Sequence, residues 1–459
     1  MFETLPYSQE RVERALLASG VQKDTLEDYV ERANNSEQYY AFDDKGNYDE
    51  LAVNSLDSKY LANGESGPLY IWDRVARAIA STESPETQEN WYDEFFSILK
   101  DFKFVPGGRI MHGAGREDVK RKPTLSNCYV VPIEEDSLEG IYRCLSESAM
   151  VFRSGGGVGT DLSTLRPKGS PVNATVDVSP GCTSFMNLLS ESTNTVSQSG
   201  RRGALMLTLR VDHPDIEYFV DKKREDPTQI QYANLSVLIT HEFMEAVSEG
   251  RDFDLRWNDQ TYRTVPAQEL WDKIITSAHS SAEPGIIFWD TMRDYHNLEY
   301  ASPLSSTNPC GEQPLPPHTA CNLGNLNLVS FVRDGQFDFS DLTTTTRTAT
   351  RFLDNVIDLT PYFFKENEDN QKNERRVGGG TLGLGELLIK LRMKYGSKKS
   401  LKLIDKIYGL ITTEMYKEST RLAKEKGSFP KFESSKFLES KFIKSLPREV
   451  IKMIKENGI

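Results

Sequence analysis

Asn308-Pro309-Cys310-Gly311-Glu312 sets an amide, a thiol and a carboxylate within five residues, with a second cysteine at Cys321 and a third far upstream at Cys128. Three sulfurs, a carboxylate and an amide are the parts required for radical removal of a hydroxyl group from a sugar. Side chains two apart share one side of an extended segment, so Asn308, Cys310 and Glu312 are predicted to project together. Pro309 removes a backbone donor and Gly311 opens conformations closed to other residues, which places the run at a loop tip rather than inside a sheet. A tip can be inserted into a cavity.

The surrounding sequence has to supply that cavity. From Asn127 onward, β-rich runs (Cys128 to Ile133, Leu205 to Val211, Ala233 to Ile239) alternate with helical stretches (Leu138 to Phe152, Thr183 to Thr195, Pro214 to Lys222). Such alternation predicts parallel strands joined by crossover helices, an α/β architecture. Two amphipathic helical patterns, Trp72 to Ile79 and Trp91 to Leu99, precede a Pro-Gly-Gly turn at Pro106 to Gly108. Leu270 to Ala278 and Leu342 to Thr360 read as further helices, and the glycine-rich run Gly378 to Gly385 precedes an apolar helix through Leu388. Residues 1–65 are polar and acidic, with helical patterning near Val12 to Leu17 and a loop-like stretch from Asn34 to Glu50; their role is not legible.

At 459 residues, of which 38% are hydrophobic, the chain is long enough for two domains or one large α/β barrel. The net charge of −13 is uneven: residues 390–459 carry 18 basic against 8 acidic side chains, which leaves −23 on the remainder. An acidic body argues against general nucleic-acid binding. The basic tail repeats Leu401, Ile404, Ile407, Tyr408 and Ile411 at helical spacing, so it reads as solvated helices rather than a nucleic-acid arm. No signal peptide or membrane-length apolar run is evident, and a soluble, cytoplasmic protein of a bacterial, archaeal or phage-infected cell is expected. Five cysteines without a CxxC pair do not form a disulfide scaffold. Zinc is disfavoured, because the six histidines form neither a Cys/His cluster nor an HExxH helix, and no metal site is expected.

Several motifs then agree on one family. LSNCYV around Cys128, SGGGVG at Ser154–Gly159, SGRRGA from Ser199, NPCGE, and CNLGNLNL from Cys321 occur in one order. Over about residues 65 to 459 the chain resembles the large catalytic subunit of ribonucleotide reductase, specifically the adenosylcobalamin-dependent class II type. The resemblance implies a ten-stranded α/β barrel, two five-stranded halves with a finger loop through the centre. The expected domains are a polar segment at 1–65, a helical region at 66–104 and the catalytic barrel at 105–459.

It also implies roles. Cys310 matches the thiyl-radical residue that abstracts the ribose 3′-hydrogen, generated with adenosylcobalamin. Glu312 matches the carboxylate that takes the 3′-hydroxyl proton, and Asn308 the amide that binds the substrate hydroxyls. Cys128 and Cys321 match the dithiol that supplies two electrons and becomes a disulfide. Small buried hydrophobes are the alternative for any of these cysteines, and the reading adopted for Cys144 and Cys182. Ser126 matches a substrate-contacting serine, while Gly107 and Gly108 fall where relatives place a serine or threonine near the substrate. Gly155, Gly156, Gly157 and Gly159 resemble the cofactor-side wall, with a tight turn as the alternative. Asp136 and Ser137 match the start of a specificity-effector site for deoxynucleoside triphosphates or ATP, with Arg166 and Lys168 suited to the triphosphate. Arg201 and Arg202 resemble the loop that relays effector identity, or else a surface hairpin with two solvated arginines.

The chain stops at Ile459, while family members continue with a phosphate-binding loop, the last barrel strands and, in many, a C-terminal cysteine pair. The expectation is therefore an N-terminal part of a split or interrupted enzyme with a complementing C-terminal chain, a homodimer, and an external thioredoxin- or glutaredoxin-like reductant. No ATP-cone is recognisable, which implies specificity control without an overall on/off site. Two competing readings are a glycyl-radical reductase, which would need a formate-dependent activase, and an inactive nucleotide-binding regulatory remnant.

Overall fold

The computed structural model describes residues 50–459 except 66, 121, 173–177 and 197–202. The patterning near Val12 to Leu17, and both Arg201 and Arg202, therefore lie outside the described residues.

Eight strands form the central sheet. They are β1 (Phe104–Pro106), β2 (Cys128–Val130), β3 (Gly157–Asp161), β4 (Ala204–Arg210), β5 (Asn234–Ile239), β6 (Gly285–Phe288), β7 (Thr319–Asn327) and β8 (Val377–Leu382). Their order is β1-β7-β2-β3-β4-β5-β6, with β8 against the other side of β7. The strands β2 to β6 run parallel, linked by crossover helices as the alternation required. The direction then reverses: β7 is antiparallel to β2 and β1 and parallel to β8. Five parallel strands are one half of the expected barrel, and β7 with β8 begin the other.

Register separates the two faces. Leu205, Leu207 and Leu209 of β4 and Leu235, Val237 and Ile239 of β5 are buried against helices Leu138–Arg153, Ile216–Glu225 and Ala267–Ser281, through Ile141, Phe152, Phe219 and Ile274. Alternate positions form rows across the opposite face: Cys128, Gly157 and Ala204, then Val130, Gly159, Met206 and Asn234, then Asp161, Thr208, Ser236 and Gly285. One face is thus a continuous apolar layer, while the other is lined mostly by small and polar side chains.

A second core joins helices Pro68–Ala80 and Gln88–Lys100 to helix Phe339–Leu359 and β7, through Trp72, Phe95, Phe104, Phe352 and Val356. Asp338 caps Phe339–Leu359 by accepting from the Ser340 and Asp341 amides at 3.0 Å each, satisfying two of the orphan donors of that end.

A buried ionic knot pins this junction. Arg351 donates to Glu83 through Nε at 2.7 Å and Nη2 at 2.8 Å, and pairs also with Glu425. Asn355 and Lys426 complete the carboxylate's partners, and the guanidinium lies 4.0 Å from the Trp91 ring centre. Burial would raise the pKa of Glu83, but Arg351, Asn355 and Lys426 outweigh it and hold the group at about 2. Removing one partner of such a pair costs about 3–5 kcal/mol. Arg351→Ala is accordingly expected to lower stability by roughly that amount in urea unfolding, and a loss under about 1 kcal/mol would contradict it. Because the folded pKa is depressed, the contribution of Glu83 is complete above its ordinary value of 4.5 and is lost as the pH falls toward about 2.

The glycine-rich run does precede a helix, Leu384–Lys390, and its residues Gly378 to Gly380 lie inside β8. The structure departs from the sequence reading in one element. The β-rich run from Cys128 keeps ladder pairing only to Val130, although Val131 and Ile133 remain buried.

Candidate active site

The NPCGE run lies in a finger between two short paired segments, Ser306–Thr307 and Pro314–Leu315. It is a tight turn and not an extended segment. The Gly311 amide donates to Asn308 O at 3.0 Å, the Asn308 amide to Gln313 O at 3.1 Å, and Gly311 has φ +81°. The turn replaces the simple alternation expected of residues 308, 310 and 312: Asn308 is fully buried, while Cys310 and Glu312 are exposed, although Asn308 and Glu312 both approach Cys128. Placement at a loop tip holds.

The small-residue face of the sheet holds the finger. A Cβ on Gly159 would lie 1.6 Å from Thr307 O, and one on Gly157 would lie 2.7 Å from Pro309 Cγ. Either position is closed to any larger residue unless the finger moves. Gly156 is equally confined, by Val151 at 2.6 Å and the Tyr129 ring at 2.9 Å, whereas Gly155 takes φ +81° just after its helix. Three of these four glycines therefore have internal packing reasons. Side chains add direct bonds: Asn234 Nδ2 donates to Pro309 O at 2.9 Å, and the hydroxyls of Thr208 and Ser306 lie 3.1 Å apart. Beneath them Asp161 accepts from Ser163 and Thr208, and burial raises its pKa to about 6.

Cys128 and Cys321, 193 positions apart in sequence, are directly opposed in the antiparallel β2–β7 pair. Opposed residues of such a ladder have Cα atoms about 4.5 or 5.5 Å apart, both within the range a disulfide spans. Both thiols are free and buried. The finger reaches this pair. Asn308 Nδ2 lies 3.1 Å from Cys128 Sγ while its Oδ1 accepts from the Gln313 amide at 2.8 Å, and Cys128 Sγ lies 3.8 Å from Glu312 Oε1. Burial pushes the Cys128 thiol well up, and charge on Glu312, Cys321 or Cys310 would push the same way, while the Asn308 amide opposes. Cys321 is raised to about 12 by burial, with Arg376 opposing, and Cys310 is raised by burial and by Glu312. All three are S–H groups at neutral pH, the form that can donate a hydrogen atom.

Gly378 belongs to this site as well. A Cβ there would lie 2.8 Å from Cys321 Sγ, so the glycine leaves space for the sulfur. Asn234 does not stand out in sequence and Gly378 does so only as part of a glycine-rich run, because their roles arise only when distant strands meet.

The remaining expected residues fall in three places. Ser126 is buried two positions before Cys128. Gly107 begins the short helix Gly108–Gly113 and donates to Leu323 O at 2.7 Å, and a Cβ on Gly108 would meet Tyr60. Asp136 and Arg166 come together, Nε to Oδ2 at 2.6 Å, while Ser137 caps helix Leu138–Arg153 by accepting from the Gly140 amide. Lys168 stands apart from that pair, its Nζ 4.9 Å from the Tyr218 ring centre.

Sequence comparisons agree with this geometry. Residues 126–457 match the family model described as "Ribonucleotide reductase, barrel domain" and residues 46–118 match "Ribonucleotide reductase, all-alpha domain". The chain belongs to the ribonucleotide reductase family. It is 37% identical over 401 residues to the "Vitamin B12-dependent ribonucleoside-diphosphate reductase" of Mycobacterium tuberculosis, covering 85% of this chain and 57% of the relative. The corresponding enzyme of Thermoplasma acidophilum is 36% identical over 353 residues, covering 76% and 45%. The "Ribonucleoside-diphosphate reductase subunit alpha" of Chlamydia muridarum is 27% identical over 433 residues. The chain thus spans about half the length of the curated relatives it matches. Among the described residues no helix is long and apolar enough to cross a membrane.

Cys310 is the exposed one of the five cysteines of this reductase-family chain, which gives a direct chemical check. Iodoacetamide is expected to label Cys310 first in peptide mapping. Its rate should keep rising past pH 9, because burial and the Glu312 charge retain the proton. Glu312→Gln should shift that profile to lower pH; an unshifted profile would contradict the assigned proximity.

Proposed function

We propose that this chain carries the reaction centre for reduction of ribonucleoside diphosphates to 2′-deoxyribonucleotides by thiyl-radical chemistry. The observation that carries this is the finger of Asn308, Cys310 and Glu312 standing over the opposed thiols of Cys128 and Cys321. Cys310 removes a hydrogen atom from the ribose and later returns one. Glu312 takes the 3′-hydroxyl proton. The 2′-hydroxyl leaves as water with one hydrogen of the dithiol as its proton, the other dithiol hydrogen goes to C2′, and the two S–H bonds of Cys128 and Cys321 are replaced by one S–S bond, so that two electrons pass to the sugar. Asn308 anchors the turn, and the second hydrogen of its amide remains for a substrate hydroxyl.

The vitamin B12 named for the relatives points to adenosylcobalamin, which when bound supplies the hydrogen-atom acceptor that leaves Cys310 a thiyl radical. The exposed Cys310 thiol fits that demand. Pro309 rests on Gly157, so a cofactor reaching Cys310 borders residues 155–159. Ser126, two positions before Cys128, is assigned to the substrate together with Gly107 and Gly108. Asp136, Ser137, Arg166 and Lys168, with Arg201 and Arg202, are assigned to a deoxynucleotide effector, for which Arg166 would share its ion pair with an incoming phosphate.

A complementing C-terminal chain, a homodimer and a thioredoxin-like reductant complete the proposal. The sheet edges at β6 and β8 support the first of these, since Ile286 and Phe288 on β6 and Leu382 on β8 are exposed apolar side chains. The test is CDP reduction with adenosylcobalamin, dithiothreitol and dATP or dTTP, for the chain alone and mixed with the sequence its relatives carry beyond the matched region. Product in the mixture but not with the chain alone supports the complementing chain; product from the chain alone removes that part. No product in either, or product only with a formate-dependent activase, overturns the cobalamin assignment.

A further inference from the structure

Asp161 ends β3 and is paired with Thr208 in the parallel β3–β4 ladder, on the small-residue face of the sheet. One of its oxygens, Oδ1, takes two hydroxyls, Ser163 at 2.9 Å and Thr208 at 3.0 Å. An ionised carboxylate only accepts, so both hydroxyls direct their single proton at it. Two directions follow. Ser163 Oγ is left to accept from the Arg210 amide, 2.9 Å away. Thr208 Oγ1 is left to accept from Ser306, 3.1 Å away in the finger's first leg, so that the Ser306 hydroxyl is the donor. Thr208 and Ser306 are fully buried, and Asp161 thereby sets the polarity of a contact that it does not itself touch.

We propose that Asp161 is a positioning residue for the radical-bearing finger, holding its first leg on β4 through hydrogen bonds that run from Ser306 to Thr208 to Asp161. The inference rests on the reaction assigned above to Cys310, which lies four positions beyond Ser306. Hydrogen bonds to an ionised acceptor are roughly twice as strong as neutral ones, and each hydroxyl in such a chain polarises the next. Gly159 admits the finger at Thr307 by leaving space; the hydroxyl chain holds it there by attraction.

Stability pulls the other way at this residue. Burial lifts the Asp161 carboxyl from 3.8 to about 6, against Ser163, Thr208 and Arg210. Because the folded pKa is raised, the stability gained from the protonated form is complete below 3.8 and is lost as the pH rises through about 6. The ionised group therefore opposes folding at neutral pH, a cost that a purely structural role does not explain. Arg210 is the cation facing it, itself held by Asp212 and felt by Asp290. The Cys182 thiol is pushed well up by burial, and burial keeps His213 of the adjoining loop neutral near pH 6. The finger leg from Ser302 to Pro309 carries no titratable side chain. Once protonated, Asp161 has its own O–H and no longer dictates either direction.

The test reads finger seating by alkylation of the full chain and needs no turnover. Below about pH 8 the raised thiols of Cys128 and Cys310 both gain thiolate tenfold per pH unit, so the ratio of their iodoacetamide labelling rates stays flat unless the finger moves. In the unaltered chain the Cys128-to-Cys310 ratio is expected to rise at least threefold as the pH falls from about 7.5 to about 5. Asp161→Leu should show the high ratio at every pH and reduce CDP at least tenfold more slowly. Asp161→Asn keeps an acceptor without the charge; it should restore most of the seating, flatten the pH profile and unfold no earlier than the unaltered chain at about pH 8. Ser306→Ala should raise the ratio as much as Asp161→Leu, and the two together no further, because both break one chain. A flat ratio in the unaltered chain, or additive effects of Asp161→Leu and Ser306→Ala, overturns the assignment. A pH-dependent ratio with no product from any form supports the positioning role and counts against the assigned reaction alone.

Discussion

Gly159→Ala is expected to dislodge the finger loop and reduce deoxyribonucleotide formation by at least 100-fold. The alanine Cβ would occupy a point 1.6 Å from Thr307 O, a contact with backbone that no rotamer change can relieve. Ordinary overpacking costs about 1–3 kcal/mol because neighbouring side chains yield. Here the yielding part is the finger itself. A displacement of about 1 Å at a reacting group can cost 10²-fold in rate, and Cys310 is three positions from Thr307. The same shift removes Asn308 from Cys128 Sγ, so alkylation of the buried Cys128 should accelerate as catalysis falls. Gly385→Ala is the control: it has open space in helix Leu384–Lys390 and should be neutral or stabilising by a few tenths of a kcal/mol. Unchanged labelling of Cys128 in Gly159→Ala would show that the finger is not seated on β3 as described.

Cys310→Ala should have the larger effect on chemistry and almost none on folding. The side chain is exposed at the tip of a turn defined by Asn308, Gly311 and Gln313, so truncating it leaves packing intact and stability within about 0.5 kcal/mol. Product formation should fall by roughly four orders of magnitude, because no other side chain at the tip can hold the radical. Cys310→Ser should be equally inactive, since an alkoxyl O–H does not substitute for S–H in hydrogen-atom transfer. Cys144→Ser is a useful contrast. Its thiol is fully buried beside Val131 O and Thr160, away from the finger, and its loss should affect stability more than rate.

What could be read from sequence follows the range of the interactions involved. The finger was legible because its chemistry is concentrated in five consecutive residues, and the parallel strands because apolar β-rich runs alternate with helical periodicity. The side-chain phase of the finger was not, because Gly311 at φ +81° and the Asn308–Gly311 hydrogen bond turn the chain where alternation assumes it extends. Strand β8 escaped notice for a related reason. Three of its six residues are glycines, which give no hydrophobic period, yet they are what allows Cys321 and Met415 to pack against it. The glycines at 157 and 159 looked like a turn or a ligand wall; only the tertiary approach of Thr307 and Pro309 shows what fills their space.

The most direct test is a single turnover without external reductant. The chain, together with the sequence its relatives carry beyond the matched region, would be mixed with CDP, adenosylcobalamin and effector, quenched in acid with alkylating reagent, and its cysteines mapped by mass spectrometry. Formation of dCDP with an equal amount of Cys128–Cys321 disulfide, both abolished in Cys310→Ala, is the expected result. Deoxynucleotide formed while Cys128 and Cys321 stay reduced, or formed equally well by Cys310→Ala, would contradict the assignment of these three sulfurs.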